Sequence, residues 1–250
     1  MQEILQTRLP YEIDPAHRLP GTRPLDEAQW LLRDEAFAGQ MALREALLST
    51  RREDVVRLSD RARPAAAELL ETVLAFLATD PGYSRAGGVI TRPDGGKVAL
   101  DRDDPMGTLG RLVQEDFCLL EKAPGEEEHV LTGAVLCFPA SWTLAEKFLH
   151  PMIRIHRPVA AYDENIAKRV QRLFDGVQVG RPLWRYNYLH HGNPALYQPQ
   201  SETRKDYASY SKAPQTYIRS ERQTMRRLPE TRAVVFGIHT YILRREAEVL

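Results

Sequence analysis

Histidines in the second half of the sequence are candidates for metal or acid–base chemistry. His156 lies in the segment IHRP at 155–158, and His239 lies in an apolar segment near the end of the chain. A neutral imidazole can ligate a metal or a haem iron when its other ring nitrogen donates a hydrogen bond that fixes the tautomer. A single histidine in a strand is also often a hydrogen-bonded core residue. Spacing alone therefore leaves both interpretations of His156 open, and it favours a core or sheet-edge position for His239.

The segment LWRYNYLHH at 183–191 alternates as a strand does. Arg185 and Asn187 then share one face, which is flanked by leucines and is costly for polar groups unless they find partners. A guanidinium in such a place suits an anionic ligand group such as a carboxylate, although an internal salt bridge would also satisfy it. His190 and His191 point to opposite faces, so they cannot readily share one metal, and we expect them at a solvated strand end.

The segment YIRSERQTMRRLP at 217–229 combines several charged and amide side chains. On a helix, Arg219 would share a face with Gln223, and Arg222 would share one with Arg226. Glu221 is the acidic residue among these cations. An ordinary solvated charged face explains the pattern equally well.

Common catalytic signatures are absent from the sequence. It contains no G-x-S-x-G, no phosphate-binding loop, no H-E-x-x-H, no C-x-x-C and no G-x-G-x-x-G that would indicate a nicotinamide or flavin site. The segment DGGK at 94–97 favours a hairpin turn, since no Ser/Thr and no helix follow it. The two cysteines, Cys118 and Cys137, cannot build a four-cysteine metal site, and we expect them to be buried as small apolar residues.

Composition narrows the class of protein further. The 250 residues carry 34 basic and 34 acidic side chains, a net charge of zero, whereas a nucleic-acid-binding protein usually has a basic excess. Hydrophobic residues make up 43%, enough for a packed core, and no apolar run approaches the ~20 residues that span a bilayer. The first residues lack the apolar region of a secretory signal. These features predict a cytoplasmic globular protein.

The elements that must position these side chains follow from periodicity and turn residues. We expect an extended arm over residues 1–24 and one domain over 25–250. Its amino-terminal third is helical, with helical patterning from Leu25 and a helix over Pro64–Ala78. Hairpins are predicted around 92–96 and 123–128, and a short helix near 143–149. An extended segment over 152–159 and a helix near 162–174 with Ile166, Val170 and Phe174 inward are also expected, followed by strands at 183–191 and 232–244. The polar loop at 192–214 is long enough to be functional. The predicted fold is α+β with a mainly antiparallel sheet.

Three stretches together resemble the haem-dependent oxidative N-demethylase alpha-subunit-like family. They are residues 136–174, 183–189 and 218–242, and the segments 25–48 and 113–120 are also similar, so the resemblance covers most of residues 20–245. The motifs are specific in combination. The matching residues are Cys137-Phe138-Pro139, Trp142, Lys147, Ile155-His156, Pro158-Val159, Arg185, Asn187, Arg219, Glu221, Arg222, Gln223, Leu228 and Pro229.

The resemblance implies a PAS-like antiparallel sheet with appended helices and a bound haem b. It also implies oxidation of the N-methyl group of a small secondary amine by dioxygen, with release of formaldehyde. On this reading, His156 is the iron ligand, Glu221 acts in catalysis, and the remaining cofactor-binding residues are Arg185, Asn187, Arg219 and Arg222.

Electrons in such systems come from a flavin and iron–sulfur reductase. Two cysteines and no nucleotide motif cannot form that reductase, so a partner subunit must supply the electrons. The sequence departs from the family pattern at Asn187-Tyr188, where an Asn-Trp pair is usual. The alternative is a PAS-like sensor or binding protein, with haem or another small ligand and without turnover.

Overall fold

The computed structural model describes residues 3–14, 21–156, 164–202 and 214–245. Its helices are α1 (Phe37–Thr50), α2 (Arg52–Val55), α3 (Arg63–Leu77), α4 (Pro105–Leu112), α5 (Leu144–Lys147), α6 (Met152–His156) and α7 (Glu164–Gly176). Its strands are β1 (Arg23–Pro24), β2 (Val56–Leu58), β3 (Ser84–Ala86), β4 (Val89–Thr91), β5 (Lys97–Ala99), β6 (Asp116–Glu121), β7 (Val130–Val135), β8 (Leu183–His191), β9 (Tyr217–Arg227) and β10 (Val234–Arg244). This mixture of helices and antiparallel strands confirms the α+β class. None of the helices in the described ranges is long and apolar enough to cross a membrane.

The described strands form two sheets. The larger has the order β1-β8-β9-β10-β6-β7-β2, and β3, β4 and β5 form the smaller. The three longest strands are neighbours: β8 and β10 each pair antiparallel with β9 over most of its length. Because side chains alternate along each strand, this pairing determines which residues of β8, β9 and β10 share a face.

The two faces of the large sheet are covered by different helices. One face packs against α5, α6 and α7 and is called here the α6 face; its buried residues include Met152, Phe174, Met225 and Val234. The opposite face, the α1 face, packs against α1, α3 and α4 through residues that include Leu48, Leu70, Leu109 and Val235. The core is thus split into two layers by the sheet, as expected for α+β domains.

Several elements form as their local sequence predicts. In α3, Pro64 occupies the first turn, and the stripe Leu70, Val73, Leu74 and Leu77 is buried. The DGGK segment is the turn between β4 and β5, with Gly95 at a φ of 81°. Both cysteines are buried thiols, as expected. In α7, Phe174 is buried and Val170 half-buried, whereas the Ile166 side chain lies outside the described residues.

Three local predictions were wrong. Helical structure does not start at Leu25; only a 3-10 turn forms at Glu27–Gln29, and α1 begins at Phe37. The segment predicted as extended over 152–159 begins with the helix α6, because the N–H groups of Met152 and Ile153 find acceptors at the His129 carbonyl and the Glu128 carboxylate.

The third wrong prediction is the helical pattern at 217–229. This segment forms β9, because pairing with β8 and β10 satisfies its backbone on both sides. Residues 157–163, which include the rest of the segment predicted as extended, and residues 203–213 of the predicted loop lie outside the described residues. So do residues 15–20 of the predicted arm, and its boundary at residue 24 stays a prediction.

A buried ion pair ties the helices to the sheet. Arg44 of α1 contacts Asp116 at 2.7 Å and also donates to the carbonyls of Gly110, Gln114 and Glu115. The Asp116 carboxylate accepts the N–H groups of Cys137 and Phe138 at 2.8 Å each. Since every polar atom of the pair finds a partner, the buried charges fix the path of the chain after β7.

His239 is a core residue on the α1 face, as the sequence indicated. Its ring nitrogens lie 3.0 Å from Asp34 Oδ2 and 3.1 Å from Glu115 Oε1. Burial alone would lower the pKa of His239, but the two carboxylates outweigh it and raise the pKa to about 9. The imidazolium is therefore a structural cation at neutral pH.

We predict that replacing this cation removes a pH dependence of stability. His239 loses its proton near pH 6.5 when unfolded and near pH 9 when folded, so its contribution is complete below about pH 6.5 and is lost as the pH rises to 9. His239→Gln should therefore be less stable than the wild type at pH 6, by on the order of 3 kcal/mol. The gap should narrow by pH 9. Urea unfolding across this range measures it.

His150→Gln provides the matched control, because His150 is exposed. Its stability should stay close to that of the wild type. A wild-type-minus-His239→Gln difference that stays constant between pH 6 and 9 would contradict the charged assignment of His239.

Candidate functional site

Polar side chains cluster on the α6 face of the central strands. Arg185 and Asn187 lie on β8, and Arg219, Glu221 and Gln223 lie on β9. The register places Asn187 opposite Glu221 and Arg185 opposite Gln223, so all five share one face of the sheet. The sequence correctly placed Arg185 and Asn187 together, and strand pairing adds the residues of β9.

The Glu221 carboxylate is oriented by two amides. Its Oε2 accepts hydrogen bonds from Asn187 Nδ2 and Gln223 Nε2, each at 3.1 Å. The Asn187 amide is itself fixed, because its Oδ1 accepts the Glu221 backbone N–H at 3.1 Å. The other carboxylate oxygen, Oε1, lies 3.7 Å from Arg219 Nε. Asn187 and Gln223 therefore hold one oxygen and leave Oε1 for interaction with cations.

Arg219 is largely committed to the backbone. Its Nη2 donates to the Phe138 carbonyl at 2.6 Å, and its Nη1 donates to the Leu196 carbonyl at 3.1 Å. Its buried Nε makes no hydrogen bond within the described part of the chain. Arg219 thus anchors two loops over the sheet, and only its edge toward Glu221 is available.

Arg185 is the arginine of the cluster that finds no partner among the described residues. Its Nε is buried without a hydrogen bond, and within the described ranges its guanidinium makes no hydrogen bond or ion pair. Burial lowers the pKa of Arg185, and the charge of Glu221 opposes the shift only in part. A half-buried guanidinium without a partner is costly, and a carboxylate or phosphate group could satisfy it.

His156 is the last residue of α6, on the same side of the sheet. Its Nδ1 donates to the Met152 carbonyl at 2.9 Å; because a carbonyl only accepts, Nε2 carries the lone pair. Burial lowers the pKa of His156, and the positive charges of Lys147 and Arg185 act in the same direction. The imidazole is therefore neutral near pH 7, the form in which histidine ligates metals.

The other candidates are separated from this cluster. Arg222 points to the α1 face, where it donates to the carbonyls of Gln29 and Trp30 and lies 5.5 Å from the Trp184 ring. This follows from β9 being a strand, which puts Arg222 and Glu221 on opposite faces. His239 is enclosed between Asp34 and Glu115 on the α1 face.

Two further residues of the cluster are His191, which the sequence analysis wrongly expected at a solvated strand end, and Thr240, which it did not single out. His191 is half-buried at the end of β8, where burial, with Arg219 adding to it, lowers its pKa. Thr240 lies opposite Glu221 on β10, and its buried hydroxyl has no hydrogen-bond partner within the described residues. Alternation along β8 already puts His191 on the same face as Arg185 and Asn187. The position of Thr240 beside Glu221 follows from strand pairing, which a single sequence does not reveal.

The described residues contain no group of three or more His, Cys, Asp or Glu side chains that could hold a metal ion together. On this face of the sheet, His156 offers one neutral imidazole with a fixed tautomer. Two surface hollows of about 230 and 220 Å³ lie elsewhere, beside Glu71 and Glu126. The cluster is therefore marked by its unsatisfied polar atoms and not by these hollows.

A comparison with family models gives an independent result. Residues 21–247 match the model described as haem-dependent oxidative N-demethylase, alpha subunit-like. The match covers nearly the whole chain and includes every residue of the polar cluster. The chain belongs to this family.

Proposed function

We propose that this chain, as a member of that family, is the haem-binding component of an oxygenase that removes a methyl group from a small secondary amine. Electrons would come from a separate flavin and iron–sulfur reductase. The family name supports a haem-dependent oxidative demethylase with a partner subunit at a coarse level. The observation that supports the proposal most directly is the Arg185 guanidinium, which has no partner among the described residues and lies on the same side of the sheet as His156.

The residues present fit haem b. The group carries two propionate carboxylates and needs at least one axial ligand. Arg185 offers a half-buried guanidinium that no described residue pairs with, and a guanidinium matches a carboxylate in charge and geometry. His156 offers a neutral imidazole in a fixed tautomer. We therefore infer that His156 would ligate the iron and Arg185 would pair with a propionate.

Arg219 and Asn187 contribute differently from Arg185. Arg219 anchors the Phe138 and Leu196 loops and adds positive charge near Glu221. Asn187 orients the Glu221 carboxylate. Both would shape the site around the haem. Of these arginines, Arg185 would contact the haem directly. Arg222 would stabilise the sheet from the α1 face.

When bound, the haem would activate dioxygen, placing one oxygen atom on the methyl carbon and releasing the other as water with two electrons and two protons. Glu221 serves the other needs of the reaction. Its Oε1, which the two amides leave available, can hold the cationic amine or transfer a proton. The amides keep the carboxylate in place while it does so.

The family match names an oxidative demethylase and so favours turnover over a sensor without turnover. The substrate would be small and N-methylated. This sequence could not itself form the reductase, because it contains no nucleotide-binding motif and only two cysteines, both buried, and we propose that a partner subunit supplies the electrons.

We predict that His156→Ala abolishes haem binding in a protein that stays folded, because no other side chain would replace the axial ligand. Titration with haemin, followed by Soret absorbance, measures the effect, and circular dichroism checks the fold. Added imidazole should restore the Soret band of the variant by occupying the vacated axial position.

The control is His150→Ala, since His150 is exposed and six residues away. It should titrate like the wild type. A wild-type Soret band in His156→Ala together with its loss in His150→Ala would move the ligand to His150. Failure of the wild type to bind haemin would refute the proposed function.

We predict that Glu221→Gln binds haem normally but loses at least tenfold in amine-dependent oxygen consumption. The substitution preserves shape and removes the charge that holds the ammonium or the proton. Oxygen uptake with dimethylamine and a chemical reductant measures it. Glu127→Gln, at an exposed position, is the matched control. Full activity of Glu221→Gln would exclude the catalytic role, and loss of haem or of folding would indicate a structural ion pair with Arg219.

A further inference from the structure

Lys147 is a lysine buried beside His156. Its relative exposure is 4%, and its ammonium donates to the Ile155 carbonyl at 2.5 Å. It also pairs with the carboxylate of Glu202, which lies on the loop that follows β8. Burying an ammonium is costly unless it is paired and hydrogen-bonded, and both partners are present here. The contacts place a charge at the end of the helix that carries His156.

Four residues form a reciprocal clasp: Glu146, Lys147, Arg154 and Glu202. The Glu202 carboxylate accepts from Lys147 of α5 and, at 3.0 Å, from Arg154 of α6. In return, the Glu146 carboxylate of α5 accepts the Glu202 backbone N–H at 3.1 Å and the Ser201 hydroxyl at 2.7 Å. The clasp therefore ties α5, α6 and the loop after β8 together by bonds in both directions.

The clasp acts on a helix that cannot hold its own shape. Helix α6 has five residues, and a helix of that length leaves most of its carbonyls without intrahelical partners. Lys147 satisfies the carbonyl of the residue just before His156 and places a cation at the helix end where it is favourable. The direction of the imidazole depends on the backbone at Ile155 and Met152, and the clasp holds the Ile155 carbonyl.

We propose that Lys147 is a positioning residue that holds His156 at its liganding angle and couples that angle to the loop carrying Glu202. The proposal rests on the proposed function, in which His156 ligates the haem iron. Lys147 does not touch the haem in this account; it acts through the Ile155 carbonyl. When the clasp is intact, α6 cannot rotate away from the sheet. When it is broken, His156 is left on a short helix with an unsatisfied end.

The experiment compares Lys147→Met, Lys147→Arg and Glu202→Gln with the wild type as haem-loaded proteins. Lys122→Met is the matched control, because Lys122 pairs with Asp175 at 3.0 Å on an exposed surface. The rate of haem transfer to an excess of haem-free myoglobin measures retention. The iron–histidine stretching frequency of the reduced protein, from resonance Raman spectra, measures how the imidazole is held. Amide hydrogen exchange of the haem-free proteins reports the backbone of residues 152–156.

Lys147→Met should lose haem at least tenfold faster, with a shifted iron–histidine frequency and faster exchange confined to α5, α6 and the loop. Lys147→Arg should fall between Lys147→Met and the wild type because it keeps the charge, and Glu202→Gln should move in the same direction as Lys147→Met. Lys122→Met should match the wild type. If Lys147→Met does not fold, Glu202→Gln decides the question.

Three results would overturn the proposal. The first is an unchanged iron–histidine frequency and unchanged haem transfer in a folded Lys147→Met or Glu202→Gln protein. The second is faster amide exchange spread over the whole molecule, which would make Lys147 a general stability residue. The third is a wild type that binds no haem, which would remove the proposed function as well. That outcome is recognised by the missing wild-type Soret band before any variant is compared.

Discussion

The site depends on the hydrogen bonds that Arg219 donates to two backbone carbonyls. Both terminal nitrogens of its buried guanidinium are used to hold Phe138 and Leu196 over the sheet. Phe138 is held from the other side by Asp116, which Arg44 anchors in the core. These charge-assisted hydrogen bonds hold the segments around Phe138 and Leu196 in place and use the donors of Arg219. Arg185 is then the guanidinium of the cluster that can bind an anion.

The charge balance of the cluster follows from this division. Glu221 is held by Asn187 and Gln223 and lies near Arg219, so one carboxylate stands against two guanidinium groups. An anionic group that paired with Arg185 would complete the balance. Burial is the main cause of the lowered pKa of His156, and the positive charges of Lys147 and Arg185 act in the same direction. In the proposed function, Arg185 would therefore both pair with the cofactor and help to keep the ligand His156 neutral.

Much of the fold could be predicted from the sequence, and the failures share a physical cause. The hairpins, α3 and β8 form as predicted because their turn residues and periodicity are local. Helix α6 and strand β9 were assigned to the wrong class because their backbone partners lie far away in the sequence, in the segment before β7 and in β8 and β10. The α+β class is correct, and the PAS-like assignment stays a prediction.

Some residues of the site could be placed from the sequence, and others could not. Arg185 and Asn187 could be placed on one face from strand alternation alone, whereas Glu221 joins them only through the register of β9. Arg222 was grouped with Glu221 by sequence proximity, yet it points to the opposite face. Thr240 and the Lys147–Glu202 pair could not be recognised, because their positions depend on contacts between distant segments.

The most direct test of this account is a haemin titration of Arg185→Leu and Arg185→Lys, with the exposed Arg63→Leu as a control. If Arg185 is the cation that receives the cofactor, Arg185→Leu should weaken haem affinity at least tenfold, about 1.4 kcal/mol. Arg185→Lys should weaken it less, since a lysine keeps the charge but not the bidentate geometry. Arg63→Leu should bind as the wild type does. Equal haem affinity in the wild type and both Arg185 variants would contradict the account.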